Sequence, residues 1–183
     1  MRHMVKERAF EMAESTGFSH WGCLDASDLL VREEVRGMCA ADKCRMYDAS
    51  WSCPPACGTT DEARRRIASY DWGLLVQTTG HTEESFDYEA MQETEARHKA
   101  MLRDLCDGIG TGEDYLPLGS GACTLCDKCS YPSGPCRQPE RMISSMEAYG
   151  LMVSDVCTLA GVPYAYGENS ITFTGCILFR QPV

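Results

Sequence analysis

Long apolar runs, aromatic side chains and an excess of positive charge are all scarce or missing in this sequence of 183 residues. Aromatic residues make up only 9% of the chain, so it can build a real but modest hydrophobic core. No stretch reaches the roughly 18 consecutive apolar residues that a membrane-spanning helix requires. Residues 1–15 mix charged with apolar side chains and so lack the apolar centre of a secretory signal. These absences predict a cytoplasmic protein with no membrane partner.

The charge balance is acidic, because 17 basic side chains face 27 acidic ones and the formal net charge is −10. Nucleic-acid binding needs a basic surface that neutralises phosphates, so the composition argues against a nucleic-acid partner. Arg64, Arg65 and Arg66 are the local exception. This run is typical of a solvated helix face, and a docking patch for an acidic redox partner is the alternative.

Cysteine, by contrast, is abundant, with 12 residues. In a reducing cytoplasm thiols stay reduced or bind metal, and structural disulfides are uncommon. A chain of this length also does not need cross-links to compensate for a very small core. The cysteines therefore require an explanation other than disulfide bonding.

Helical and strand patterns alternate along the chain and predict a single α/β domain over residues 1–183, with α+β as the alternative. We expect a small sheet flanked by helices, with two cysteine-rich loops at 38–58 and 119–138. Apolar stripes, capping residues and glycine stops predict helices at 5–16, 27–35, 60–70, 83–106, 139–149 and 153–160. Compact apolar runs predict strands at 21–26, 72–79 and 171–179, and a short strand within 107–121.

The later loop carries four cysteines, which we call the second cysteine group: Cys123, Cys126, Cys129 and Cys136. Three of these thiols lie within seven residues, a spacing that suits three corner irons of a [4Fe-4S] cubane with a fourth ligand downstream. Zinc sites usually draw two ligands from each of two separated knuckles. The last gap is six residues instead of the three of bacterial ferredoxins, and Arg137 replaces the expected proline. The group predicts a [4Fe-4S] cluster, with structural zinc as the alternative.

The earlier loop carries the first cysteine group: Cys39, Cys44, Cys53 and Cys57. Its spacing is looser, but the segment has no apolar period and needs something other than apolar packing to order it. Predicted helix starts follow both groups, at Thr60 and at Pro139, and a helix N-terminus favours an anionic cluster. A second [4Fe-4S] cluster is the prediction here. Zinc, partly free thiols, or ligand exchange between the two groups are the alternatives.

The remaining cysteines lie in predicted strands or on apolar helical faces, where a thiol acts as a small core residue. These four cysteines are Cys23, Cys106, Cys157 and Cys176.

His98 lies on the inner, apolar face of its predicted helix. This position is typical of a core histidine whose hydrogen bonds are satisfied.

Four motifs together resemble a cysteine-rich family of predicted metal-binding proteins of anaerobic bacteria and archaea. They are Cys39-x4-Cys44, Trp51-Ser-Cys-Pro-Pro-Ala-Cys57, Gly121-Ala-Cys-Thr-Leu-Cys-Asp-Lys-Cys-Ser-Tyr-Pro-Ser-Gly-Pro-Cys-Arg-Gln-Pro-Glu140 and Ser145-Met-Glu-Ala-Tyr-Gly150. The resemblance extends over roughly residues 18–179. It implies a small cytoplasmic metalloprotein of anaerobes that binds metal through the same eight cysteines, and it implies no reaction.

The functional prediction is an iron-sulfur protein with two [4Fe-4S] clusters that passes single electrons to a partner redox enzyme or corrinoid protein. It depends on the eight cysteines of the two groups and on the lack of a recognisable acid-base or nucleophile constellation. One alternative is a structural or interaction protein in which zinc fixes the two loops. Another is a cluster-dependent enzyme with an open iron. The sequence names no catalytic residue and leaves the oligomeric state open.

Overall fold

The computed structural model describes residues 4–83, 87–110 and 114–180, and these ranges contain five α-helices and five β-strands. The helices are α1 (Lys6–Thr16), α2 (Glu33–Ala40), α3 (Thr60–Ile67), α4 (Tyr88–Ile109) and α5 (Val153–Leu159). The strands are β1 (His20–Asp25), β2 (Trp72–His81), β3 (Tyr115–Gly119), β4 (Ser144–Ser145) and β5 (Ser170–Phe179). Within these ranges no helix combines the length and the apolar character that crossing a membrane takes.

The five strands form one open mixed sheet in the order β1-β2-β5-β3-β4. The long strands β2 and β5 pair antiparallel over their full length, from Trp72 opposite Phe179 to His81 opposite Ser170. β1 and β3 flank this pair in antiparallel fashion, whereas the short β4 runs parallel to β3. The prediction of an α/β fold with a small sheet flanked by helices is confirmed.

Each face of the sheet has its own hydrophobic core, because successive side chains of a strand point to opposite faces. Leu74 and Val76 of β2 pack with α1 and α4, while Leu75 between them packs with α3 and α5. Cys176 of β5 lies in the second of these cores, together with Cys157. Of the four cysteines expected in the core, Cys106, Cys157 and Cys176 are buried, and Cys23 is half-buried against it.

Helices with clear local signals form where the sequence predicts them. α1 buries Ala9 and Ala13 and ends at Gly17, whose φ of 96° is the left-handed conformation that favours glycine. α3 begins with the predicted capping box, in which Thr59 and Glu62 bond each other's backbone N–H groups. α4 begins at Tyr88, so part of its predicted start at 83 falls on residues 84–86, outside the described residues.

The helix predicted at 27–35 is wrong, since α2 begins only at Glu33. The Asp25 carboxylate accepts a hydrogen bond from the Ser27 N–H at 2.9 Å, which closes a single 3-10 turn at Ala26–Asp28. The chain then extends so that Val31 forms a β-bridge with Leu151. A local hydrogen bond and a long-range backbone pairing therefore replace the first half of the expected helix.

The helix predicted at 139–149 is also wrong. Ser144 and Ser145 pair with β3, and the Met146 N–H continues that pairing by donating to the Gly119 carbonyl at 3.0 Å. Only Glu147–Tyr149 turns, as a 3-10 helix. The spacing of Met142, Met146 and Tyr149 resembles a helical stripe, but strand pairing with a distant segment decides the conformation. No helix N-terminus therefore follows the second cysteine group at residues 139–143.

Candidate metal centre

The four thiols of the second cysteine group line a single cavity between the two cysteine-rich loops. Each of the four residues is half-buried. The other walls of the cavity include Ser50 and Trp51 of the earlier loop and Gln138, whose side-chain amide lies 3.8 Å from the Cys126 Sγ. Four thiols around one cavity are a donor set that suits either an iron-sulfur cluster or zinc.

Hydrogen-bond donors converge on Cys129 at this cavity. Burial raises the pKa of the Cys129 thiol, but backbone N–H groups of Tyr131 and Trp51, the Ser50 hydroxyl and the Ser130 N–H donate to it and together lower the pKa. These donors favour the thiolate, which is the form that binds metal. They provide the stabilisation of negative charge that we expected from a helix N-terminus after Cys136.

Members of the first cysteine group lie close enough for the charge of one thiolate to shift the pKa of another. Burial raises the pKa of Cys39, at the end of α2, and charges on Glu147, Cys44 and Cys53 act in the same direction, so that the pKa is about 11. Burial also raises the pKa of Cys57, and a charge on Cys53 adds to that shift. Cys44 is exposed, whereas the other three are half-buried. Cys53 is thus the member of the group whose charge reaches both Cys39 and Cys57.

Arg36 supplies positive charge beside the first group. Its guanidinium donates hydrogen bonds to the Ala148 and Gly58 carbonyls, and its charge lowers the pKa of both Cys39 and Cys57. The Cys57 thiol in turn lies 3.8 Å from the Ala148 carbonyl. Arg36 therefore connects α2, the earlier loop and the turn at Glu147–Tyr149 beside Cys39 and Cys57. No spacing in the sequence identified it.

Glu147 is a second charged residue beside the first group that no pattern in the sequence marks. Its Oε2 is buried and has no hydrogen-bond partner among the described residues. A carboxylate here repels thiolates, as its effect on Cys39 shows. Arg36 and Glu147 thus act in opposite directions on the pKa of Cys39.

A short segment of the earlier loop joins the two groups. The Ser52 hydroxyl accepts a hydrogen bond from the Cys123 N–H at 2.9 Å and lies 3.8 Å from the Cys53 Sγ. The Trp51 indole Nε1 donates to the Gly134 carbonyl at 3.0 Å. A charge on Cys123 also raises the pKa of Cys53, in addition to the larger effect of burial. The two cysteine groups are therefore neighbours in space.

In the three described ranges no group of three or more His, Cys, Asp or Glu side chains has the arrangement of a site for one metal ion. A zinc ion requires its thiolates about 2.3 Å from a single point, whereas a cubane binds each thiolate to a different iron. Both kinds of centre need deprotonated thiols, and the hydrogen bonds at Cys129 favour that form.

Comparison with known proteins gives one match, to a family described as predicted metal-binding protein (DUF2284), over residues 22–179. No curated protein and no solved structure matches the chain. The matched range includes both cysteine groups and all five strands except two residues of β1.

Proposed function

Since the chain belongs to the family of predicted metal-binding proteins, we propose that its two cysteine groups hold two [4Fe-4S] clusters and that it transfers single electrons. The partner is a redox enzyme or a corrinoid protein. When bound, the clusters would supply the one-electron chemistry. The chain's own residues hold the thiolates, orient them and limit the access of water.

The observation that carries this proposal is the cavity lined by all four thiols of the second group. Its hydrogen-bond donors at Cys129 are the kind of groups that stabilise anionic cluster sulfurs. The contact of Ser52 with both loops supports a short path between the two centres. Adjacent centres favour electron movement through the protein from one group to the other.

Net charge bears on the partner. Two oxidised clusters with thiolate ligands, each about −2, would take the formal charge from −10 to about −14. Opposite potentials steer redox proteins together and increase their association rate. We therefore propose that the partner presents a basic face.

The test is purification without oxygen, followed by iron and sulfide analysis, absorbance at roughly 400 nm and electron paramagnetic resonance after reduction. We expect about eight irons per chain, and C129S should lose about half of them. C23S is the matched control, because Cys23 is half-buried but lies outside both groups. Stoichiometric zinc without the absorbance would overturn the iron-sulfur proposal and favour a structural role for zinc.

One observation favours a second candidate, a cluster-dependent enzyme with an open iron. A cavity of about 550 Å³ has Cys57 on its wall, so a small molecule there would lie beside the first group. This candidate predicts that one cysteine of the first group, such as the exposed Cys44, can be changed to serine without loss of the cluster. Loss of half of the iron in each of the four variants C39S, C44S, C53S and C57S would contradict it.

A further inference from the structure

The cavity beside Cys57 has the size of a small-molecule site. Its volume of about 550 Å³ lies within the range of ligand pockets, roughly 300–1,000 Å³. Arg66 of α3 and Arg103 of α4 lie on its walls, together with Arg141 from the segment before β4. Three arginines around one cavity in a chain of net charge −10 form a local concentration of positive charge.

Of these three arginines, Arg66 and Arg103 have no acidic partner among the described residues and can bind a ligand through their charge, whereas Arg141 has one. Arg141 pairs with Asp107, a carboxylate of the same cavity, at 3.1 Å. Arg103 makes no hydrogen bond or ion pair with any residue in the described part of the chain. Arg66 donates to the Tyr149 hydroxyl at 2.8 Å and lies close enough to Tyr70 to lower the pKa of that phenol, but it forms no ion pair with a carboxylate in the described ranges. The one further acid of the cavity, Glu140, is exposed.

The rest of the wall suits an organic ligand better than a bare inorganic ion. Apolar and aromatic side chains form the wall together with the arginines, as in pockets that bury the body of a small molecule and fix it by a few polar groups. They include Tyr115, Leu116, Pro117, Met142 and Ile143.

We infer that this cavity binds a small organic anion, whose carboxylate or phosphate group is held by Arg66 and Arg103. The planar guanidinium forms paired hydrogen bonds to both kinds of oxyanion. The apolar wall then contacts the remainder of the ligand. Binding does not depend on which metal the thiols hold. Whether the ligand reacts at the neighbouring Cys57 centre rests on the second candidate function above.

The experiment is calorimetric titration of the anaerobically purified protein with inorganic phosphate and, separately, with succinate. We expect saturable binding of at least one probe with one site per chain. R66A and R103A should each weaken it about tenfold or more, as expected for loss of one charge-assisted contact. R65A is the matched control, because Arg65 is an exposed neighbour on the same helix and does not line the cavity.

Binding of inorganic phosphate alone would show that the site recognises a phosphate group, and binding of succinate alone would show that it recognises a carboxylate. Both outcomes support the inference. Absence of saturable binding to either probe would overturn it. So would equal weakening by R65A and R66A, which would indicate a diffuse electrostatic effect. If R103A fails to fold, R103Q removes the charge while keeping much of the side chain's volume. Metal analysis of the same samples tests the iron-sulfur proposal independently.

Discussion

Ser52 is wholly buried, at 0% exposure, between the two cysteine-rich loops. Its hydroxyl accepts from the Cys123 N–H and lies 3.1 Å from the Ser50 hydroxyl. S52A leaves the partly buried Cys123 N–H without that acceptor, so we expect the free energy of unfolding to fall by about 1–2 kcal/mol. Urea denaturation measures this change.

The matched control for S52A is S15A. Ser15 also donates a side-chain hydrogen bond, to the Met12 carbonyl at 3.1 Å, but it is exposed and water can replace the bond. We expect a change within about 0.5 kcal/mol for S15A. Equal effects of the two substitutions would show that the Ser52 contact between the loops is not formed.

His98 is the residue whose burial should govern the pH dependence of stability. Burial, and to a lesser extent the charge of Lys99, lowers the pKa of His98 to about 4, whereas the pKa of a histidine in the unfolded chain is about 6.5. Above that value both states are neutral. Between roughly pH 6.5 and 4 only the unfolded state gains the proton, so the free energy of unfolding falls as pH falls, by about 1.4 kcal/mol per pH unit. We expect it to be about 2 kcal/mol lower at pH 5 than at pH 7.

The contribution of His98 is isolated by comparing urea denaturation of the wild type with that of H98Q across this pH range. H98Q should remove most of the slope, because glutamine does not titrate. H81Q should retain the slope, since His81 is an exposed histidine at the end of β2. An unchanged slope in H98Q would assign the pH dependence to other groups.

The sequence predicts that the hydrogen bonds of His98 are satisfied. Its Nδ1 does contact the Thr78 hydroxyl at 2.9 Å, but Nε2 has no partner in the described ranges.

At the scale of helices and strands, two glycines differ in the space that is available for a side chain. Gly22 has no room for a Cβ, whereas Gly37 has room for one. A Cβ on Gly22 of β1 would lie 2.2 Å from the Ala160 carbonyl oxygen, at the end of α5. G22A therefore has to push the strand and the helix apart, and we expect it to lower the free energy of unfolding by about 3 kcal/mol. Gly37, within α2, has no atom within 4 Å of the corresponding position.

G37A serves as the paired substitution and should act in the opposite direction. Alanine in a helix interior is favoured over glycine by roughly 0.5–1 kcal/mol, because the unfolded chain has less freedom to lose. Thermal unfolding followed by circular dichroism measures both variants. If G22A unfolds at the temperature of the wild type, β1 and α5 are not packed as described.

The helices differ in how well the sequence predicts them. α1 and α3 depend on signals within a few residues, a glycine stop and a capping box, and both form where expected. The segments at 27–35 and 139–149 carry helical spacing too, but partners far along the chain decide their conformation. Val31 pairs with Leu151, and Ser144 pairs with Leu118. Apolar spacing alone does not contain that information.

For the whole molecule, the spacing of the cysteines predicts which thiols form groups but not what surrounds them. The second group does line one cavity. Arg36, Glu147 and Ser52 reach the cysteines from distant parts of the chain, and no local pattern marks them. That the second group lies together could be predicted, because three of its cysteines follow one another at short spacings. The surrounding groups could not, since only the folded sheet and its two loops bring them together.

The two cysteine-rich loops contact each other through side chains from distant parts of the chain. Trp51 belongs to the earlier loop, yet it donates to Gly134 of the later loop and packs edge-on against Tyr131, with ring centroids 5.0 Å apart. W51F keeps an aromatic ring and removes the donor. If the two centres bind iron as proposed, we expect W51F to release iron to a chelator about two- to tenfold faster than the wild type, in line with the loss of one hydrogen bond.

Trp21 provides the matched control for this substitution, because it is a half-buried indole whose Nε1 makes no hydrogen bond in the described part of the protein. W21F should release iron at the wild-type rate. The measurement is absorbance at roughly 400 nm over time, with an iron chelator present and oxygen excluded. A common rate for W51F, W21F and the wild type would mean that the later loop holds its metal without help from the earlier one. A faster rate in W51F alone would mean that the hydrogen bond between the loops helps to retain the metal, so the two cysteine groups would have to be treated as one coupled centre.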